Sequence, residues 1–299
     1  VAKQAVLENE YQIRVKKPAW LRRPLPSSPH YAQVRRLISQ GHLHTVCQEA
    51  QCPNQFECFS ARTATFLILG ANCTRTCRFC AIDNAPCEPP DPEEPARVAA
   101  AARQMNLRYV VVTSVTRDDL PDGGAGLFAE TIRQIHRQIP DAQVEVLIPD
   151  FQGDRSALED VLQAGPDVLN HNVETVARLY ATVRPEAVYA RSLELLRHAS
   201  THPSSIPVKS GLMLGLGETP AEIRRTLQDI RDTGCQMLTL GQYLQPSKRH
   251  LTVERFVTPD AFDDWRRQAL EMGFSEVVSG PFVRSSYHAR ELHQALTTK

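Results

Sequence analysis

In the stretch ANCTRTCRFCAI, residues 71 to 82, Cys73, Cys77 and Cys80 are separated by three and then two residues. Side chains so close in sequence can present three thiolates to one metal centre from a single loop. A structural zinc site is closed by four ligands, typically two widely separated pairs. An iron–sulfur cubane is also ordinarily held by four cysteines. Three thiolates therefore suit a cubane whose fourth iron stays open to an exogenous ligand. A zinc loop completed by Cys87 or a histidine is the competing arrangement. Upstream, in CQEAQCPNQFEC, Cys47, Cys52 and Cys58 are separated by four and five residues. Alone this second triplet is the weaker signal, because scattered cysteines are often small buried hydrophobes. Cys235 is read as one of these, and Cys87 as a free, non-ligating thiol. Six of the eight cysteines fall between residues 47 and 80, a clustering that suits metal ligands or catalysis better than a disulfide scaffold.

The elements that must position these thiols are legible from the pattern. The 299 residues are 42% hydrophobic and 23% charged, enough to bury a substantial core and unlike a disordered chain. Lys+Arg and Asp+Glu both total 34, which argues against wholesale nucleic-acid binding. No apolar run reaches the roughly 18 residues that span a bilayer, and the N-terminal stretch lacks an apolar secretory core. A soluble, cytoplasmic protein with no membrane partner is expected, a processed organellar form remaining open. ATFLILG, LRYVVVTSV, QVEVLIPD, DVLNHNV, PVKSGLMLG and QMLTLGQYL read as strands buried on both faces. The segments between them have helical spacing, often with Pro, Asp, Ser or Thr at the start. Strand and helix alternating in this way predict an α/β chain. Its expected form is a partial, six-unit (β/α) TIM-like barrel of parallel strands, with N-terminal and C-terminal extensions. The expected organisation is an extension over residues 1–62, the barrel over 63–257 and a closing segment over 258–299. Sites in such barrels lie where strands lead into helices, and the Cys73–Cys80 motif follows the first strand.

Other polar residues fall at the same strand ends. Thr113 and Ser114 end the second strand, before a loop whose Arg117, Asp118 and Asp119 have an equally plain role as solvated charges. Asn172 and Glu174 end the fourth, and Arg184 follows. Together they offer an amide, a carboxylate and a forked guanidinium suited to hydroxyls and a carboxylate. Gly215 and Glu218 sit in GLMLGLGE after the fifth strand, where a glycine pair also reads as a tight turn. RVKKPAWLRR, residues 14 to 23, carries five basic residues and no acid. It is either a solvated arm or a docking patch for an acidic partner.

With Phe79 just before its last cysteine, the Cys73–Cys77–Cys80 motif resembles the signature of the radical S-adenosylmethionine superfamily. That resemblance implies that the methionine end of S-adenosylmethionine chelates the open iron, and that its cleavage yields a 5′-deoxyadenosyl radical. The Cys47–Cys52–Cys58 spacing, the C-terminal RSSY of Arg284 to Tyr287, and VTSVTRDDLPDGGA, NHNVETV, VRPEAVY, GLMLGLGET and LTLGQYLQPS are similar to the lipoyl synthase family from about residue 20 to residue 290. The resemblance implies two [4Fe-4S] clusters, the auxiliary one held by Cys47, Cys52, Cys58 and Ser286 and consumed as the sulfur source. It also implies that Arg284 steadies the Ser286 alkoxide or the substrate, with Ser285 contributing much less. Thr113, Ser114, Asn172, Glu174, Arg184, Gly215 and Glu218 become candidate contacts to S-adenosylmethionine. The implied partners are an octanoylated lipoyl carrier domain (a dehydrogenase E2 subunit or the glycine cleavage H protein), an electron donor such as ferredoxin or flavodoxin, and a cluster-repair protein.

Overall fold

The computed structural model describes residues 17–22, 28–61 and 63–297, so the basic stretch 14–23 lies partly outside the described residues. Eight strands form one sheet in chain order: β1 His44–Thr45, β2 Thr65–Ile68, β3 Tyr109–Ser114, β4 Gln143–Leu147, β5 Val168–Asn170, β6 Val208–Leu214, β7 Met237–Gln242 and β8 Glu276–Gly280. β2 to β8 run parallel and β1 lies antiparallel on the outer edge of β2. The six strands expected from the pattern are β2 to β7. β8 extends the parallel sheet from a segment the sequence reading assigned to closure alone. Its five residues, EVVSG, bury little besides Val277, so no apolar run announces it.

Alternation sorts each strand's side chains onto two faces. Val110 and Val112, Val144 and Val146, Leu169, Leu238 and Leu240 join the main core, which the outer helices cover. Tyr109 and Val111 turn the other way, into a separate cluster with Ala289, and Val168 and Met237 meet Leu292. The helix Ala289–Thr297 thus plugs the N-terminal end of the barrel. Beside it lies a buried polar layer: Lys209 Nζ is 2.8 Å from Glu145 Oε1, while Tyr109 and Asn170 donate to the same carboxylate at 2.7 and 3.2 Å. Burying the Lys209 charge is tolerable only because it is paired and the carboxylate's remaining capacity is used.

The N-terminal extension joins the same core. Val34 and Ile38 of the helix Pro29–Gln40 pack with Leu43, Cys47 and Phe59, and Tyr31 stacks on Phe56 with centroids 5.1 Å apart. Cys235 is fully buried just before β7, as its apolar setting predicts.

Candidate active site

The loop after β2 turns through Leu69 and Gly70, whose φ angles of +69° and +91° aim the following residues over the C-terminal ends of the strands. There the backbone of Cys73 donates to Asp83 O at 2.8 Å and that of Arg78 to Val183 O at 2.9 Å. Cys73 Sγ accepts from the backbone N–H groups of Arg75 at 3.4 Å and Thr116 at 3.3 Å. The side chain of Arg75, 3% exposed, anchors the loop from below through Asp118 and Asp150. Burial pushes the Cys77 thiol up to about 11, against the pull of the Arg184 charge, and the Cys80 thiol up to about 12. Phe79 packs toward Val176, Val183 and Tyr243.

The second triplet is built by the extension. Thr45 caps the short helix Val46–Glu49 that carries Cys47, the backbone of Cys52 donates to Cys47 O at 3.1 Å, and Cys58 lies on the helix Gln55–Ser60. Asn54 reaches across to the C-terminal segment, its amide donating to Phe282 O at 2.7 Å. Thr65, at the start of β2, donates to Ser286 Oγ at 2.8 Å. Burial, and then the neighbouring Cys52, push the Cys47 thiol up to about 12.

All six of these cysteines and Ser286 line one cavity of about 520 Å³. Its remaining wall includes Thr113, Ser114, Asn172, Glu174, Arg184 and Arg284. Thr113 donates to Leu147 O at 2.9 Å, whereas Ser114 Oγ is buried without a protein partner. Arg184 donates to the carbonyls of Asn172 and Val173 at 3.0 and 3.3 Å and lies 5.3 Å from the Tyr180 ring centroid, its Nε unpartnered. Asn172 donates to Glu174 Oε1 at 3.0 Å and keeps a buried, unpartnered Oδ1. Burial raises the Glu174 carboxyl, opposed by Arg184. Arg284 Nη1 donates to Val283 O at 2.7 Å.

Gly215 and Glu218 stand apart from this wall. The Glu218 carboxylate accepts the backbone N–H groups of Gly215 and Leu216 at 2.6 and 2.8 Å, so its oxygens hold the turn after β6. Gly215 has φ +103°, and a Cβ there would lie 2.3 Å from Gln242 Nε2 and 2.4 Å from Arg255 O. Both residues therefore shape the loop and do not reach the cavity. Sequence reasoning missed Thr65, Arg75 and Asp150. Of these only Arg75, inside the cysteine motif, carried a local signal.

Comparisons with known proteins fit this geometry. The model of the Radical SAM superfamily matches residues 67–230, which include the Cys73–Cys80 loop. Lipoyl synthase of Desulfotalea psychrophila is 55% identical over 281 residues, 94% of either chain. That of Rubrobacter xylanophilus is 53% identical over 275 residues, 92% of this chain and 86% of the relative.

The chain belongs to the lipoyl synthase family.

More distant solved structures share the fold alone. Streptococcus suis SuiB bound to S-adenosylmethionine superposes with a TM-score of 0.58 at 9% identity, over 71% of this chain and 49% of that one. HydG, a maturase of the [FeFe]-hydrogenase, gives 0.52 at 13%, over 89% and 74%. As a lipoyl synthase family member the chain is a radical S-adenosylmethionine sulfurtransferase, and the superfamily brings a [4Fe-4S] cluster and S-adenosylmethionine. The Cys73–Cys77–Cys80 loop fits such a cluster: three thiols line one wall, and two backbone N–H groups already point at Cys73 Sγ, as donors do around cluster sulfurs. Among the described residues no three His, Cys, Asp or Glu side chains converge as ligands of a single ion would. None of the described helices is long and apolar enough to cross a membrane.

Proposed function

We propose that the chain inserts two sulfur atoms, at carbons 6 and 8, into an octanoyl group borne on a lysine of a lipoyl carrier domain. In this reading Cys73, Cys77 and Cys80 hold the cluster that binds S-adenosylmethionine. Cys47, Cys52, Cys58 and Ser286 hold a second [4Fe-4S] cluster that serves as sulfur donor. The observation that carries it is the convergence of both triplets and Ser286, from opposite ends of the chain, on one cavity. When bound, the cofactors supply a hydrogen-abstracting radical and the sulfur.

The residues have separable tasks. The six thiols give up their protons as they become ligands, so loading is expected to release protons. Ser114 Oγ, Asn172 Oδ1 and Arg184 Nε are buried polar atoms that lack protein partners on the cavity wall. A polar ligand such as the amino-acid end of S-adenosylmethionine satisfies them, and unmet buried groups of this kind cost roughly 1–3 kcal/mol each. Glu174 and Arg184 bring opposite charges to the same wall. Arg284 lies at the junction with the Ser286 turn, where a cation steadies an alkoxide. An electron donor such as ferredoxin or flavodoxin, a cluster-repair protein and a cytoplasmic setting complete the reading.

Anaerobic reconstitution tests it, with about eight irons per chain expected for two cubanes. Incubation with reductant, S-adenosylmethionine and an octanoylated carrier peptide should then add two sulfurs by mass. Four irons, or no mass gain, would overturn the reading.

A further inference from the structure

Of the contacts that thread the segment delivering Ser286 across the barrel, three touch the cavity's strands and the cofactor wall. At β7, a Cβ on Gly241 would lie 2.2 Å from Val283 O, so only glycine lets the segment pass so near the strand. At the cofactor wall, Asn172 Nδ2 donates to Ser285 Oγ at 2.5 Å. At β2, Thr65 donates to Ser286 Oγ at 2.8 Å. Two adjacent serines therefore touch opposite walls of one cavity. Ser285, read from the sequence as contributing little, is tied to residues that face the other triplet.

The Asn172 end of this tie is rigid. Its amide is shared between Ser285 and Glu174 Oε1, and Glu174 is held in a left-handed conformation with φ +70°. The backbone N–H of Glu174 donates to Gly211 O at 2.9 Å and its carbonyl accepts from Met213 at 2.8 Å, clamping it against β6. A Cβ on Gly211 would sit 2.8 Å from Asn172 Oδ1 and 2.5 Å from Thr239 Oγ1, so the amide rests against bare backbone. A side chain fixed in this way can fix its partner.

We infer that Ser285 is a positioning residue: through Asn172 it locks the turn that presents Ser286 to the second cluster, and so sets how firmly that cluster's serine-held iron is retained. The inference rests on the proposed ligand set. Without the Ser285 hydroxyl, the turn loses its tie to the cofactor wall and keeps contacts that all run elsewhere: at Gly241, at Thr65, from Asn54 to Phe282 O and from Tyr287 to Glu57. Ser286 then samples a wider range, and the ligand it offers dissociates more often.

The test is the rate at which a chelator removes iron from reconstituted protein in a Cys77→Ala background, where the first cluster is disabled and turnover plays no part. Adding Ser285→Ala should speed iron loss several-fold. Thr and Val have nearly the same shape, so Ser285→Thr should stay near the parent rate while Ser285→Val is as fast as Ser285→Ala. Equal rates for the Thr and Val variants would overturn the inference, including where Ser285→Ala itself folds poorly. Failure of the underlying reading looks different, because Cys77→Ala protein would then take up no iron, or would lose it no faster when Ser286→Ala is added.

Discussion

Arg75 Nη2 and Asp150 Oδ1, 75 positions apart, meet at 2.5 Å in a buried ion pair beneath the cysteine loop. The same guanidinium grips Asp118 through Nε at 2.7 Å and Nη2 at 3.0 Å, and Asp150 Oδ2 reaches Arg191 at 3.2 Å. The loop between Cys73 and Cys77 is thereby fixed to the segments that follow β3 and β4 and to the helix Tyr189–Ser200. These contacts hold the loop that carries the thiols in place.

Asp150→Asn removes one charge from this buried network and leaves Arg75 and Arg191 short of a partner. Breaking such a pair from one side costs on the order of 3–5 kcal/mol. Chemical denaturation of the metal-free protein should report a loss of that size, with slower iron uptake by the Cys73 triplet. An unchanged midpoint would mean that Asp118 alone holds the loop.

Acid should weaken the fold in two stages. His171 is fully buried, and burial, with the Arg184 charge, holds its imidazole down at about 4. The unfolded chain, near 6.5, takes up that proton first, so the contribution is complete above pH 6.5 and lost as pH falls toward 4, roughly 3 kcal/mol in all. For Asp150 burial acts upward, but the Arg75 hydrogen bond and charge hold the carboxyl down at about 2. Its contribution is present above about 3.9, the ordinary value, and disappears as pH falls toward 2. His171→Gln should flatten the stability profile between pH 6.5 and 4 and leave the lower stage intact, as equilibrium denaturation at stepped pH would record.

The two triplets should separate cleavage from sulfur insertion. Cys77→Ala is expected to abolish 5′-deoxyadenosine formation. Cys52→Ala should still form it, perceptibly slower, and yield no sulfur-bearing carrier peptide. Loss of cleavage in both folded variants would show that the division of labour is wrong.

Ser286 should tune release of sulfur. An alkoxide is a harder ligand than the usual thiolate and its parent alcohol is far less acidic, so its iron bond is the easiest of the four to lose. Ser286→Cys is expected to keep both clusters and cleave S-adenosylmethionine while making at least tenfold less lipoyl product. Ser286→Ala should hold the second cluster less durably. A Ser286→Cys enzyme that matches wild type in product rate would show that ligand lability does not limit the reaction.

The sequence by itself determined the chemistry and the class of fold. Cysteine spacing is a local property, because three thiols within eight residues can meet on one loop whatever surrounds them. Likewise, doubly buried parallel strands announce themselves as β-branched and leucine-rich runs, which is why β2 to β7 were legible and the polar, glycine-ended β8 was not. Only the tertiary structure decided which wall each polar residue faces. Glu218 and Glu174 look alike as acids after strands, yet one spends its oxygens on two backbone N–H groups and the other lines the cavity. Ser285 and Ser286 are neighbours of identical chemistry, separated only by the partners they reach, Asn172 and Thr65, more than 110 positions away in the chain. The clamp between Arg75 and Asp150 was equally hidden, since an ion pair depends on distance in space and sequence pattern reports only distance along the chain.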